Sequence, residues 1–187
     1  MVYGILRLIN FAHGDIFMAA GFFMVYTSTT LPLYIALPLT LLLTVILGVS
    51  VERIAYKPLR TAPRMSIMIS AIGVSYLLQN FATYYTGCLP RSYPTIPFIS
   101  ETIAFGSVTT SWITLLTPVL TLVLVIGLAA LIKYTKVGMA MRAVSKDFET
   151  AQLMGIKINN VISITFVIGS FFFGVWSIFL FSLFSNF

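Results

Sequence analysis

The chain reads as apolar runs of membrane length separated by short polar stretches. Residues 8–28 carry Asn10, His13, Gly14 and Asp15 in their first half and become cleanly apolar only from Ile16, which predicts a broken or partly immersed helix. Residues 33–51 hold no charge. Residues 65–86 are also uncharged but include Ser66, Ser70, Gly73, Ser75, Gln79 and Asn80. Small residues in such a run let helices approach closely in a bilayer. Residues 112–132 and 161 to about 183 complete the series. Each run approaches the roughly 20 apolar residues that cross a hydrocarbon core. The expected fold is therefore all-α, a polytopic transmembrane helical bundle of about five spans. It forms a single membrane domain over residues 1–187 with no soluble domain attached.

The polar stretches fix an orientation. Consecutive spans place alternate loops on one side, and that side receives Arg7, then Arg53, Lys57, Arg60 and Arg64, then Lys133, Lys136, Arg142, Lys146 and Lys157. Only Arg91 of the 11 basic residues falls opposite, in a proline-punctuated connection over 87–111. Cytoplasmic loops carry such an excess of Lys and Arg, so the N-terminal end is expected inside and the C-terminal end outside.

Composition narrows the class further. The chain is 59% hydrophobic and 9% charged, with a mean hydropathy of +1.01, whereas soluble domains are about 25% charged. The net charge of +6 is accounted for by the loops, so no nucleic-acid partner is expected and membrane lipid is the natural solvent. Cys88 stands alone, which excludes an intrachain disulfide and a cysteine-rich metal site. No basic n-region precedes the first apolar run as in a cleavable signal peptide, so insertion is expected to rely on the spans.

The loop over about 141–158 has helix signals of its own. Asp147 and Glu149 suit a first turn, and Gly155 suits a C-terminal cap. Phe148, Ala151 and Met154 recur at i, i+3 and i+6, giving a short helix with one apolar face. Such a helix can plug into a partner's groove or rest on the headgroups; periodicity alone leaves both open. Read as letters, Glu149, Thr150, Ala151 and Gly155 follow the E-A-A-x-x-x-G spacing of the coupling loop in bacterial ABC importer permeases, with Thr150 in place of the first Ala.

A more specific resemblance runs through the chain. Met-Val-Tyr-Gly-Ile at 1–5 and Ile-Asn-Phe-Ala-His-Gly-Asp at 9–15 resemble the N-terminal signature of branched-chain amino acid ABC transporter permeases of the LivH type. Val-Glu-Arg-Ile-Ala-Tyr-Lys-Pro at 51–58, Ile-Ser-Ala-Ile-Gly at 69–73, Leu-Gln-Asn at 78–80, Lys-Val-Gly at 136–138, Leu-Met-Gly-Ile at 153–156 and Thr-Phe-Val-Ile-Gly at 165–169 follow in the same order. The resemblance implies a multi-pass subunit of the bacterial inner membrane that works with a second, similar permease, cytosolic ATP-binding subunits and a periplasmic amino-acid-binding protein. Family members carry spans before and after the region matched here, so the chain is expected to be truncated at both ends. It also departs from the family in being aromatic-rich over 171–187, where small residues are usual.

The remaining polar residues admit two readings. Asn10, His13 and Asp15 could line or gate a pathway at a helix break. Alternatively, Asp15 could cap a helix beginning at Ile16 while Asn10 and His13 satisfy neighbouring backbone. Gln79 and Asn80 could likewise meet substrate or bond across helices. The lone His lacks partners for a metal site. The sequence has no nucleophile, base and orienter set and no Gly-x-x-x-x-Gly-Lys-Ser/Thr loop. The chain is therefore expected to be no enzyme and to bind no cofactor, with ATP used by a partner subunit. A stand-alone passive channel and a truncated, non-transporting product are the alternatives.

Overall fold

The computed structural model describes residues 12–59, 62–87, 102–105 and 108–184. Asn10, Cys88, the motif residues before Ala12 and the cations Arg7, Arg60 and Arg91 lie outside them. In lipid every backbone N–H and C=O must be bonded within the protein, which leaves helices as the economical solution for these apolar runs. The elements are α1 (Ala12–Thr30), α2 (Leu33–Val51), a π-helical turn (Glu52–Tyr56), α3 (Arg64–Thr86), β1 (Thr102–Phe105), β2 (Val108–Ser111), α4 (Trp112–Tyr134), α5 (Lys136–Lys146), α6 (Phe148–Leu153) and α7 (Ile158–Phe184).

Local signals set the boundaries. Pro32 and Pro63 occupy the N-cap positions of α2 and α3 in extended conformation, where the missing N–H costs no helical bond. Gly87 ends α3 in the left-handed region at φ 61°, a conformation open to glycine. The connection read as a loop over 87–111 contains the antiparallel hairpin β1–β2, with Thr102 opposite Ser111 and Phe105 opposite Val108.

Four helices among the described residues are long and apolar enough to cross a membrane: Leu33–Tyr56, Met65–Thr86, Thr114–Tyr134 and Ile158–Phe181. α1, the fifth long helix, falls short of that apolarity, yet it is the one packed against α2, α3 and α7 together. His13 and Asp15 lower its hydropathy, and they sit where other helices rather than lipid surround them. The chain is thus a multi-pass membrane protein built as a helical bundle. α1 is continuous from Ala12, so the described part of the Asn10–Asp15 stretch contains no break, and the helix does not begin at Ile16 as the capping reading has it; Asn10 and Phe11 lie outside the described residues.

Small side chains hold the centre. Thr27 and Thr40 hydroxyls pair at 3.1 Å between α1 and α2, and Ser177 donates to the Phe17 carbonyl at 2.9 Å between α7 and α1. The aromatic-rich end of α7 finds matching space: Phe181 stacks on Phe17 at 5.5 Å and lies over Gly21, where a Cβ would meet its ring at 2.6 Å. Gly48 of α2 abuts Ser170 of α7 so closely that a Cβ would overlap its hydroxyl.

Candidate functional site

The loop between α4 and α7 is helical nearly throughout. A stripe of Gly138, Met141 and Val144 is the buried face of α5, and Met141 and Val144 join Ala151 and Val161 in one apolar cluster. In the sequence this helix lies within the polar loop after the fourth span, where Lys136, Arg142 and Lys146 mask its i, i+3 apolar pattern. At its start Thr135 caps α5 by accepting from the Gly138 N–H at 3.0 Å and donates to the Leu131 carbonyl at 2.6 Å. Arg142 donates to the Lys133 carbonyl at 3.3 Å, a cation at the negative end of α4.

α6 covers the short helix foreseen between Asp147 and Gly155. Asp147 is its N-cap: one carboxylate oxygen accepts from the N–H groups of Glu149 and Thr150 at 3.0 and 3.3 Å, and the other accepts from the Thr150 hydroxyl. The replacement of alanine by Thr150 therefore reinforces the cap. Gly155 closes the helix at φ 82°, and the Ile156 N–H returns to the Ala151 carbonyl at 3.1 Å. Only part of the expected apolar face is inward. Ala151 is buried, whereas Phe148 is 37% exposed, Met154 79% and Leu153 88%. Glu149 is exposed as well.

The hydrogen bonds from Thr150, then from Glu149, hold the Asp147 carboxyl below its ordinary range. A carboxylate depressed in this way contributes stability above its unfolded pKa and loses it as pH falls through the folded value. The cap is accordingly intact at neutral pH and released only in acid below about pH 4. Amide exchange at Glu149 and Thr150, corrected for intrinsic rate, should stay protected down to that point, and Asp147→Ala should remove the protection at every pH.

The polar residues of α1 separate instead of clustering. Residues two apart on a helix point some 200° apart, and His13 and Asp15 do so. The His13 ring packs edge-on to Phe166 and Phe173 of α7, at centroid distances of 5.5 and 5.2 Å. Asp15, on the α3 side, accepts from Gln79 Nε2 at 2.9 Å, and the same nitrogen reaches Ser75 Oγ at 3.1 Å. Asn80 is exposed and donates to the Tyr76 carbonyl of its own helix at 2.7 Å. Gln79 therefore links α3 to α1 and Asn80 does not.

One residue escapes the sequence reading. Glu52, which falls by sequence in the basic stretch facing the cytoplasm, is completely buried and accepts from Ser163 of α7 at 3.1 Å. It opens the π-helical turn, in which the Lys57 N–H bonds the Glu52 carbonyl at 2.9 Å. Around it Val51, Tyr56, Ile67, Ala71, Ile162, Phe166 and Ala12 form a core that gathers α1, α2, α3 and α7 at the end of the bundle nearest α6. No group of three or more His, Cys, Asp or Glu able to hold a metal occurs among the described residues.

These features define a class: a helical membrane bundle carrying an amphipathic, partly exposed helix on one loop. Comparison with known proteins gives the particular family. A family model described as branched-chain amino acid transport system / permease component matches residues 1–186, and the chain belongs to that family. It is 35% identical to the high-affinity branched-chain amino acid transport system permease protein BraD of Pseudomonas aeruginosa, over 91% of this chain and 60% of the relative. It is 35% identical to the LivH protein of Salmonella typhimurium and 33% identical to that of Escherichia coli K12, in both cases over 91% of this chain and 59% of the relative. The chain thus spans about 60% of the length of the curated relatives it matches. No solved structure matches it.

Proposed function

We propose that the chain is a membrane-spanning permease component of an ABC importer for branched-chain or similar amino acids in the bacterial inner membrane, with ATP hydrolysed by a separate cytosolic subunit. The reading rests on the family membership, and one observation carries it into mechanism: Phe148 and Leu153 on α6 and Met154 at its C-cap lie exposed while Ala151 anchors that helix to the bundle. An amphipathic helix presented in this way fits a groove on a partner. Glu149, Thr150, Ala151 and Gly155 form the coupling element. Displacement of α6 would pass through the Met141, Val144, Ala151 and Val161 cluster into α7, and from Ser163 through Glu52 into α2. A second, similar permease and a periplasmic amino-acid-binding protein complete the proposed assembly. Against a stand-alone passive channel built on a helix break over Asn10–Asp15 stands the helical backbone of α1 from Ala12 onward.

Charging the exposed apolar face tests the reading. The double variant Leu153→Asp, Met154→Asp, purified from native membrane, should lose an ATP-binding subunit that accompanies the unaltered chain. Its membrane abundance should stay unchanged, since both side chains face outward. Equal recovery of the subunit from both forms, or recovery of no such subunit with the unaltered chain, would overturn the coupling assignment.

A further inference from the structure

Two side-chain hydrogen bonds tie α1 to α3, and a cavity lies between them. At one end Gln79 donates to Asp15; at the other the Tyr26 hydroxyl reaches the Tyr85 carbonyl at 3.4 Å. Asp15 and Tyr26 are eleven residues apart on a continuous helix, about 16 Å at 1.5 Å per residue. The space between has a volume of about 410 Å³, with walls that include Met18 and Phe22 of α1, Leu47 of α2, and Leu78 and Ala82 of α3. Small-molecule sites occupy roughly 300–1,000 Å³ and combine apolar walls with a few fixed polar groups.

Asp15 is not itself a lining residue, but it stands one helical turn before Met18 and Ala19, which are. Met18, Ala19 and Phe22 follow it at i+3, i+4 and i+7, so its carboxylate shares the face of α1 that lines the cavity. Ala82 and Thr86 stand in the same relation to Gln79 on α3. Asp15 is 6% exposed. Its Oδ1 takes the Gln79 hydrogen bond, while Oδ2 is buried with no hydrogen-bond partner among the described residues. An unmet carboxylate oxygen in such a place is costly and asks for a donor. A cationic donor satisfies it best, because charge-assisted bonds are the stronger ones.

We infer that this cavity holds the substrate during translocation, with Asp15 Oδ2 receiving a primary ammonium group and the apolar walls receiving a branched aliphatic side chain. The assignment deepens the proposed permease function and rests on it. Parting of the Asp15–Gln79 bond would free the carboxylate to turn toward the cavity. The carboxylate excludes an aliphatic acid that lacks the ammonium group.

The test uses the assembled importer in proteoliposomes, with Cys88→Ser removing the native thiol and Ala82→Cys placing a reporter in the wall. The rate at which a small methanethiosulfonate reagent modifies the introduced thiol is followed with leucine, 3-methylbutylamine or 4-methylpentanoate present. Leucine and the amine should slow it and the acid should not. Asp15→Asn should raise the amine concentration giving half protection by roughly tenfold or more, the loss of one charge-assisted hydrogen bond. Equal protection by the acid, unchanged protection in Asp15→Asn, or protection by none of the three, as for a groove filled by lipid or by a helix of another subunit, would overturn the assignment. The amine-against-acid comparison on native Asp15 stands even where the Asn variant fails to insert. ATP-driven leucine uptake in the same vesicles keeps the two ideas apart. Uptake without protection removes the chamber and leaves the permease function, whereas absence of uptake removes that function.

Discussion

Gly138→Ala should sharply lower the proposed ATP-driven uptake while leaving the chain in the membrane. A Cβ at this position would lie 2.2 Å from the Ile132 carbonyl oxygen and 2.5 Å from the Ile132 Cα, and the obstructing atoms are backbone at the end of α4. The backbone has little freedom to retreat, because the α4–α5 corner is pinned by Thr135 to Leu131, by Gly138 to Thr135 and by Arg142 to Lys133. Relief requires opening the corner, which swings α5 and carries α6 with it. Overpacking of this kind costs about 1–3 kcal/mol where side chains can adjust, and backbone obstruction belongs at or above the upper end. ATP-driven uptake, normalised to membrane abundance, should fall by roughly tenfold or more, since about 1.4 kcal/mol is one decade in a population. Gly127→Ala, with nothing within 4 Å of the added atom, should leave uptake unchanged. Together the pair, one in α5 and one in α4, separates the clash at the corner from a general intolerance of an added methyl group on these helices.

The contrast between these glycines shows what the sequence makes legible. The boundaries of α2 are read directly, because an uncharged run is bracketed by Pro32 and Glu52 and a bilayer admits few other solutions. α6 is legible for a different reason: Asp147 and Gly155 are cap residues at the correct separation, and capping chemistry is local. Gly138 offers no such clue, since its neighbour Ile132 belongs to the preceding helix and the close approach exists only once the corner is made. α5 itself, over Lys136–Lys146, could have been found by following Val137, Ala140, Met141 and Val144 through the intervening cations. His13 and Asp15 look like one polar cluster in sequence; assigning them to separate faces requires the helix to begin by Ala12. The pairing of Asp15 with Gln79 spans 64 positions and that of Glu52 with Ser163 spans 111. No periodicity within a run encodes either one.

Glu52 carries the second large effect. Its side chain is fully enclosed at the junction where α2 passes into the π-helical turn, and π-turns of this kind recur at functional positions in helices. The carboxylate accepts from Ser163, one residue after Ile162 of the core that also holds Val51, Tyr56 and Phe166. Glu52→Ala removes the acceptor and leaves unfilled volume, and the two losses together should cost on the order of 3 kcal/mol. The expected result is a sharp fall in membrane abundance and in detergent melting temperature. Glu52→Gln keeps the length of the side chain and an oxygen able to accept from Ser163, and should retain most of both. Ser163→Ala should cost less than Glu52→Ala, and adding it to Glu52→Ala should cost little more, because residues that share one interaction are non-additive. If Glu52→Gln proved as damaging as Glu52→Ala, the carboxylate charge would be the essential feature, and the link from α7 to α2 would have to run through a contact other than the Ser163 hydrogen bond.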